Sequence, residues 1–281
     1  MGFGCNAVGV TGCRIIDSKR ERLIAMITNV FAPCNGRFPI VIAMVSIFLV
    51  SAGGIVGGIL SALVLLALIL VSIITTFAVS KLLSLTVLRG EPSAFTLELP
   101  PYRMPKFWQT VARSVLDRTL YVLGRAVAVA APAGLVLWVL ANIKAGNSTL
   151  LVAISRWLDP FGAFFGMDGI ILLGFLLALP ANEIAIPIML MIYTGGGALT
   201  EYASLAELGA VLSSAGWSVT TAICVTFFTV FHFPCSTTML TIKKESGKWR
   251  WAMLSAALST AIGLLYCLGV RFFSILLSSL L

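Results

Sequence analysis

Four side chains join ligand or proton chemistry to points where an apolar helix has to break: Cys5, Glu183, His232 and Cys235. Cys235 follows Pro234, whose ring removes a backbone donor and restricts the residue before it. A thiolate there suits soft or borderline metal ions, and the nearby His232 imidazole adds a nitrogen ligand of the same range. Glu183 is the only acidic residue between Asp168 and Glu201, beside Asn182 and close behind Pro180 in an apolar run. A carboxylate so placed can neutralise a cation, relay a proton or accept from a helix N-terminus. Plainer uses compete with these: a cysteine can be a small buried hydrophobe, and a histidine a packing residue with a satisfied hydrogen bond.

Repetition strengthens the cysteines. Gly2-Phe3-Gly4-Cys5-Asn6 is followed by Thr11 and Arg14, and His232-Phe233-Pro234-Cys235-Ser236 by Thr241 and Lys244 at the same offsets. Each copy is Phe, a helix breaker, Cys and a small polar residue, ahead of a short apolar stretch that ends in basic residues. Two thiols at pseudo-symmetric breaks can meet at one site, with Asn6, Asn182 and Ser236 beside them and Pro180 and Pro234 making the breaks. Cys13, Cys34, Cys224 and Cys267 have no polar company at a break and read as packing residues.

The elements that position these groups are membrane helices. The chain is 59% hydrophobic and 11% charged, with a mean hydropathy of +1.04, where soluble domains carry about 25% charged residues. Several apolar runs approach or exceed the ~20 residues needed to cross a bilayer as helix. They are too long and continuous for barrel strands. The fold class is therefore an all-α polytopic membrane protein with about five to six spanning helices, some broken or re-entrant. The formal charge of +8 follows from basic residues beside apolar spans, as positive-inside orientation requires, and calls for no nucleic acid. Six cysteines in a chain neither small nor secreted do not make a disulfide framework. No cleavable signal precedes the first motif. No nucleotide phosphate loop occurs, so no nucleotide-hydrolysing enzyme is expected within these residues.

Residues 1–12 read as a half-helix leaving the membrane toward the charged stretch Arg14–Arg22. Residues 23–37 read as an amphipathic segment at the interface, closed by Pro33, Gly36 and Pro39. A helical hairpin, Ile40–Ala52 and Ile59–Ser80, turns at Gly53-Gly54 and Gly57-Gly58. The most basic region follows; there Glu98–Pro105 cannot be helical, and Trp108, Val111, Ala112, Val115 and Leu120 form one face of a surface helix. Residues 126–143 cross outward, and 169–196, 217–242 and 251–280 complete the apolar segments. A single crossing by 169–196 would put Lys243, Lys244, Lys248 and Arg250 outside, and the loop 197–216, which lacks Lys and Arg, inside. A re-entrant pair of half-helices, 169–179 and 184–196, dipping at Pro180–Glu183, removes both violations. Such breaks at mid-membrane are where transporters build sites.

At these residues the chain resembles the membrane part of the FeoB family of bacterial ferrous iron transporters. Gly2–Asn6 is similar to the end of that family's first Gate region, and Glu98-Leu99-Pro100-Pro101-Tyr102-Arg103 to the connector before the second. Leu179–Glu183 and Phe233-Pro234-Cys235 through Lys243-Lys244-Glu245 are similar to the second Gate itself. The resemblance divides the chain into 1–37, the end of a truncated first Gate with an interfacial segment, and 38–88, a transmembrane hairpin. Residues 89–125 are then a basic cytoplasmic connector and surface helix, and 126–281 the second Gate with the C-terminal helices. It implies transmembrane transport of Fe²⁺ in a bacterial cell membrane, with Cys5 and Cys235 lining the ferrous path and Glu183 and Asn182 beside them; His232 joins this metal-facing set on its residue type alone. It implies no permanently bound cofactor. GTP enters only through a separate GTP-binding domain or upstream half, a partner alongside the lipid bilayer and a possible second copy of the chain. Two other readings use the same breaks: a transporter of nucleosides or other small organic solutes, and a membrane assembly subunit that transports nothing.

Overall fold

A computed structural model of the chain describes residues 2–50, 54–90, 106–145, 148–196, 199, 202 and 204–280. Thirteen α-helices occur among them: α1 (Asn6–Gly12), α2 (Lys19–Thr28), α3 (Phe38–Met44), α4 (Gly54–Leu85), α5 (Phe107–Ser114), α6 (Tyr121–Asn142), α7 (Leu150–Phe164), α8 (Gly169–Leu177), α9 (Ala185–Thr194), α10 (Leu205–Ser214), α11 (Val219–Phe231), α12 (Ser236–Ser246) and α13 (Trp249–Leu280). A two-residue antiparallel ladder, Lys144 with Thr149 and Ala145 with Ser148, joins α6 to α7. Helix starts follow local chemistry. The side chains of Ser18, Asp168, Ser204 and Ser218 accept from the backbone N–H three residues on, satisfying donors that the first turn leaves unpaired.

Among the described residues, Gly54–Leu85, Val219–Ser246 and Trp249–Ser279 are long and apolar enough to cross a membrane alone. This is fewer than the five to six expected, because the other segments are shorter or broken. Leu150–Phe164 and Gly169–Leu177 bend by 109° at their break. Lipid suits the outer surfaces: Ile55, Leu63, Phe77, Phe272 and Phe273 are exposed. Inside, packing is reinforced by interhelical hydrogen bonds, such as Thr75 Oγ1 with Tyr266 Oη (2.7 Å) and Ser255 Oγ to Ile27 O (3.0 Å), which replace the hydrophobic drive that lipid removes.

Basic groups collect at one end of the bundle. Arg14 pairs with Glu245 at 2.6 Å, Arg20 donates to the Ser84 hydroxyl and the Leu88 carbonyl, and Lys243 stacks over Trp249 at 4.6 Å. At the other end the Tyr193 hydroxyl donates to the Asp168 carboxylate and accepts from Trp217 Nε1 at 2.9 Å. Asp168 begins α8 and Tyr193 lies in the last turn of α9, so the pair enters and returns to one side. The α11–α12 segment, broken at Pro234, runs from that side to the basic end.

The segment 23–37, read as amphipathic, is packed against other helices. Met26, Ile27, Val30 and Phe31 are fully buried in a cluster with Phe231, Ile242 and Trp251. α13 on one side and α4 on the other cover the helix, so α2, residues 29–37 and α3 form a further broken element inside the bundle. Gly53, Glu98–Pro105, Asn147 and Glu201 lie outside the described residues.

Candidate functional site

The two breaks of the second half touch. α11 ends at His232 in extended conformation (φ −67°, ψ 173°), and with Pro234 following, α12 starts only at Ser236. The Ser236 N–H donates to Leu179 O across the gap at 2.8 Å. His232 is wholly buried. Its Nδ1 faces the carbonyls of Thr229 (2.9 Å) and Phe228 (3.1 Å), and Nε2 faces the Asn182 side chain at 3.2 Å. Phe175 lies 5.0 Å from the ring. Both ring nitrogens are thus engaged, and the imidazole joins the Leu179–Asn182 break to the Phe231–Ser236 break.

The first motif repeats this geometry. Cys5 and Cys235 are the N-caps of α1 and α12, both extended in ψ and neither capping with its side chain. Gly9 N bonds Cys5 O at 3.0 Å and Met239 N bonds Cys235 O at 3.1 Å. Thr11 bonds Ala7 O at 3.0 Å and Thr241 bonds Thr237 O at 2.7 Å. The two short helices pack side by side, pinned at their far ends by Arg14 and Glu245. At ~1.5 Å rise per residue their N-caps lie at nearly the same depth. Asn6 is buried, and with its amide turned it donates to Gly2 O (3.0 Å) and Ala32 O (3.1 Å). Cys5 and Cys235 are half-buried, and the Cys235 thiol lies 3.3 Å from the Thr238 hydroxyl.

Arg37 is the residue that sequence reasoning missed. It has no exposed surface and lies where residues 29–37 meet the end of α11. Nη1 donates to Val30 O (3.0 Å) and Val230 O (2.8 Å), and Nη2 to His232 O (3.0 Å) and Phe233 O (3.3 Å). Nε finds no partner, and neither does the buried Ser236 hydroxyl. Cys34, read as remote from any break, belongs to this one: its carbonyl accepts from Arg37 N at 2.9 Å, and Asn35 N reaches Gly4 O at 3.3 Å. The signal was present in a lone charge between Gly36 and Pro39, the same kind that marked Glu183.

Glu183 is exposed, unlike its buried neighbour Asn182. It lines a crevice of about 340 Å³ with Pro39, Ile40, Ile186, Pro187 and Tyr202. Gly36 lies against it: an added Cβ would stand 2.9 Å from Glu183 Oε1, so the carboxylate would have to turn aside. A larger groove, about 700 Å³, runs between α4 and α13 past Thr75 and Tyr266; its apolar walls face lipid, away from the breaks. At the non-basic end, burial pushes the Asp168 carboxyl up, against hydrogen bonds from Tyr193 and the Ile171 amide.

The structure therefore brings Asn182, His232, Pro234 and Ser236 together beside Pro180. It sets Cys5 and Cys235 at matching caps and leaves Glu183 on the crevice. No group of three or more His, Cys, Asp or Glu side chains stands ready for a metal among the described residues.

Comparison with known proteins gives a consistent picture. Residues 65–118 match the family described as "Ferrous iron transport protein B C terminus", and residues 123–249 the one described as "Nucleoside recognition". The chain is 28% identical over 270 residues to a Staphylococcus aureus protein named Fe(2+) transporter FeoB, covering 92% of this chain and 37% of that one. It is 24% identical over 269 residues to a Methanocaldococcus jannaschii protein of the same name, covering 91% and 37%. A Porphyromonas gingivalis Fe(2+) transport protein A/Fe(2+) transporter FeoB fusion protein is 24% identical over 328 residues, covering 97% and 37%. The chain thus spans well under half the length of these relatives. No solved structure matches it.

Proposed function

We propose that the chain is a member of the FeoB family corresponding to its C-terminal membrane portion, as the matched segments support, and that it forms the path by which Fe²⁺ crosses the membrane. The ion approaches from the side of Asp168 and Tyr193 and meets Glu183 at the crevice. It then passes the caps where Cys5 and Cys235 stand. Thiolate and carboxylate replace part of its hydration shell, and the low number of protein ligands keeps binding weak enough for release. His232, held on both nitrogens, positions the break rather than ligating, and could turn to the ion only after Asn182 lets go. Asn6, Asn182 and Ser236 line the route, and Pro180 and Pro234 keep the backbone unwound.

GTP-binding parts, carried on a preceding segment or a second polypeptide, act on the basic end through Arg14–Arg22 and the connector 81–118. A bistable element is needed for such control, and the broken helices supply one. The single observation that carries the reading is the recurrence of the capping cysteine, with its flanking hydrogen bonds, in two parallel half-helices.

Anaerobic Fe²⁺ binding to the purified chain in detergent tests it, comparing wild type with Cys5→Ser and Cys235→Ser. Saturable binding that either substitution weakens supports the path; binding indifferent to both removes the thiols from it. A second reading draws on the nucleoside-recognition match and on the crevice volume, which falls within the ~300–1,000 Å³ of small-molecule sites. In that case nucleoside binding would depend on Glu183 and Tyr202 and be indifferent to both cysteines.

A further inference from the structure

Four backbone carbonyls converge on one positive group at the centre of this bundle. Val30 O comes from the turn after α2; Val230 O, His232 O and Phe233 O come from the end of α11 and its unwound continuation. All lie 2.8–3.3 Å from the two terminal nitrogens of Arg37. Unwound carbonyls and helix C-termini at mid-membrane are the groups with which transporters hold coupling cations, and the negative end of the helix dipole favours any cation there. A charge without exposed surface is costly unless paired or hydrogen-bonded. No carboxylate pairs with it in an ion pair among the described residues, so the carbonyls are what meets the charge.

We propose that these carbonyls form a monovalent-cation cradle whose occupant is Arg37 itself. The chain carries, as a tethered side chain, the cation that would otherwise have to bind from solution. The guanidinium ties residues 29–37 to the α11–α12 break and fixes the opening through which the cap of α12 faces the path. Alkali ions then have no vacancy to fill at this break. The cradle is argued from hydrogen-bond geometry and does not rest on the identity of the transported ion.

The test is chemical rescue. In Arg37→Ala the carbonyls remain and the cation is gone, so methylguanidinium should enter. Saturable stabilisation of that variant in detergent is expected, raising its thermal midpoint by about 5–10 °C at roughly a hundredfold excess over the dissociation constant. Wild type should not respond, and choline, an equal charge without N–H donors, should not replace it. An alanine variant indifferent to methylguanidinium, or one rescued equally by choline, overturns the proposal. If Arg37→Ala cannot be recovered folded, Arg37→Lys and Arg37→Met decide. The lysine variant keeps the charge and should be the more stable of the two; a methionine variant equal to or better than lysine shows that the site wants bulk rather than a cation.

Discussion

Asn182→Leu tests whether the two breaks are joined through the His232 ring. The substitution keeps side-chain volume and removes the one side chain that hydrogen-bonds Nε2 among the described residues, at 3.2 Å. His232 has no exposed surface, so water cannot replace the lost partner without repacking Phe175, whose ring is 5.0 Å away. Leaving one buried polar group unpaired costs about 1–3 kcal/mol. At about 2–4 °C per kcal/mol for a chain near this size, the thermal midpoint in detergent should fall by roughly 2–12 °C. His232→Phe keeps a ring among Phe175 and Phe228 and instead strands Asn182, at a similar cost. The double variant replaces both partners by apolar groups and should recover part of either loss, with a coupling of about 0.5–3 kcal/mol. Strictly additive effects would refute the bridge. Fe²⁺ binding by Asn182→Leu should persist, since the proposed ligands Cys5, Cys235 and Glu183 are untouched.

Gly169→Ala should be severe, because the new Cβ would lie 1.9 Å from Ser155 O and 2.7 Å from Asp159 N. Both are backbone atoms that cannot rotate away, so about 1–3 kcal/mol or more is expected as lost midpoint or yield, and a wild-type-like alanine variant would refute the α7–α8 contact. Arg14→Ala breaks an ion pair whose arginine side chain is 58% exposed; the loss should stay below ~1 kcal/mol and shrink further in salt, and a larger fall in midpoint would give the pair a role beyond surface electrostatics. Ser204→Cys and Lys248→Cys, both at exposed positions, should react with an impermeant thiol reagent from opposite sides of sealed vesicles, Ser204→Cys from outside. Labelling of both from one side would refute the return of α8–α9.

The membrane class, the breaks at Pro180 and Pro234 and the matching positions of Cys5 and Cys235 at helix starts were legible in the sequence. Each rests on a local rule: run length against bilayer thickness, proline's missing donor, or residue type at a fixed offset. The positive-inside bias, a sum over loops, likewise implied the return of 169–196, and the Asp168–Tyr193 hydrogen bond has that geometry. Residues 23–37 were a different case. Their pattern, apolar with polar interruptions and closed by prolines, fits an interfacial helix as well as a buried broken one. What separates the two is coverage by α4 and α13, which come from elsewhere in the chain. Only tertiary structure could show that Arg37, in sequence a charge at a membrane edge, sits at the centre. Its partners are backbone carbonyls, nearly 200 positions away for three of the four, and a carbonyl carries no sequence signature. The same holds for His232, whose ligand chemistry is a property of its type, while its engagement with Asn182 and two carbonyls is a property of the fold.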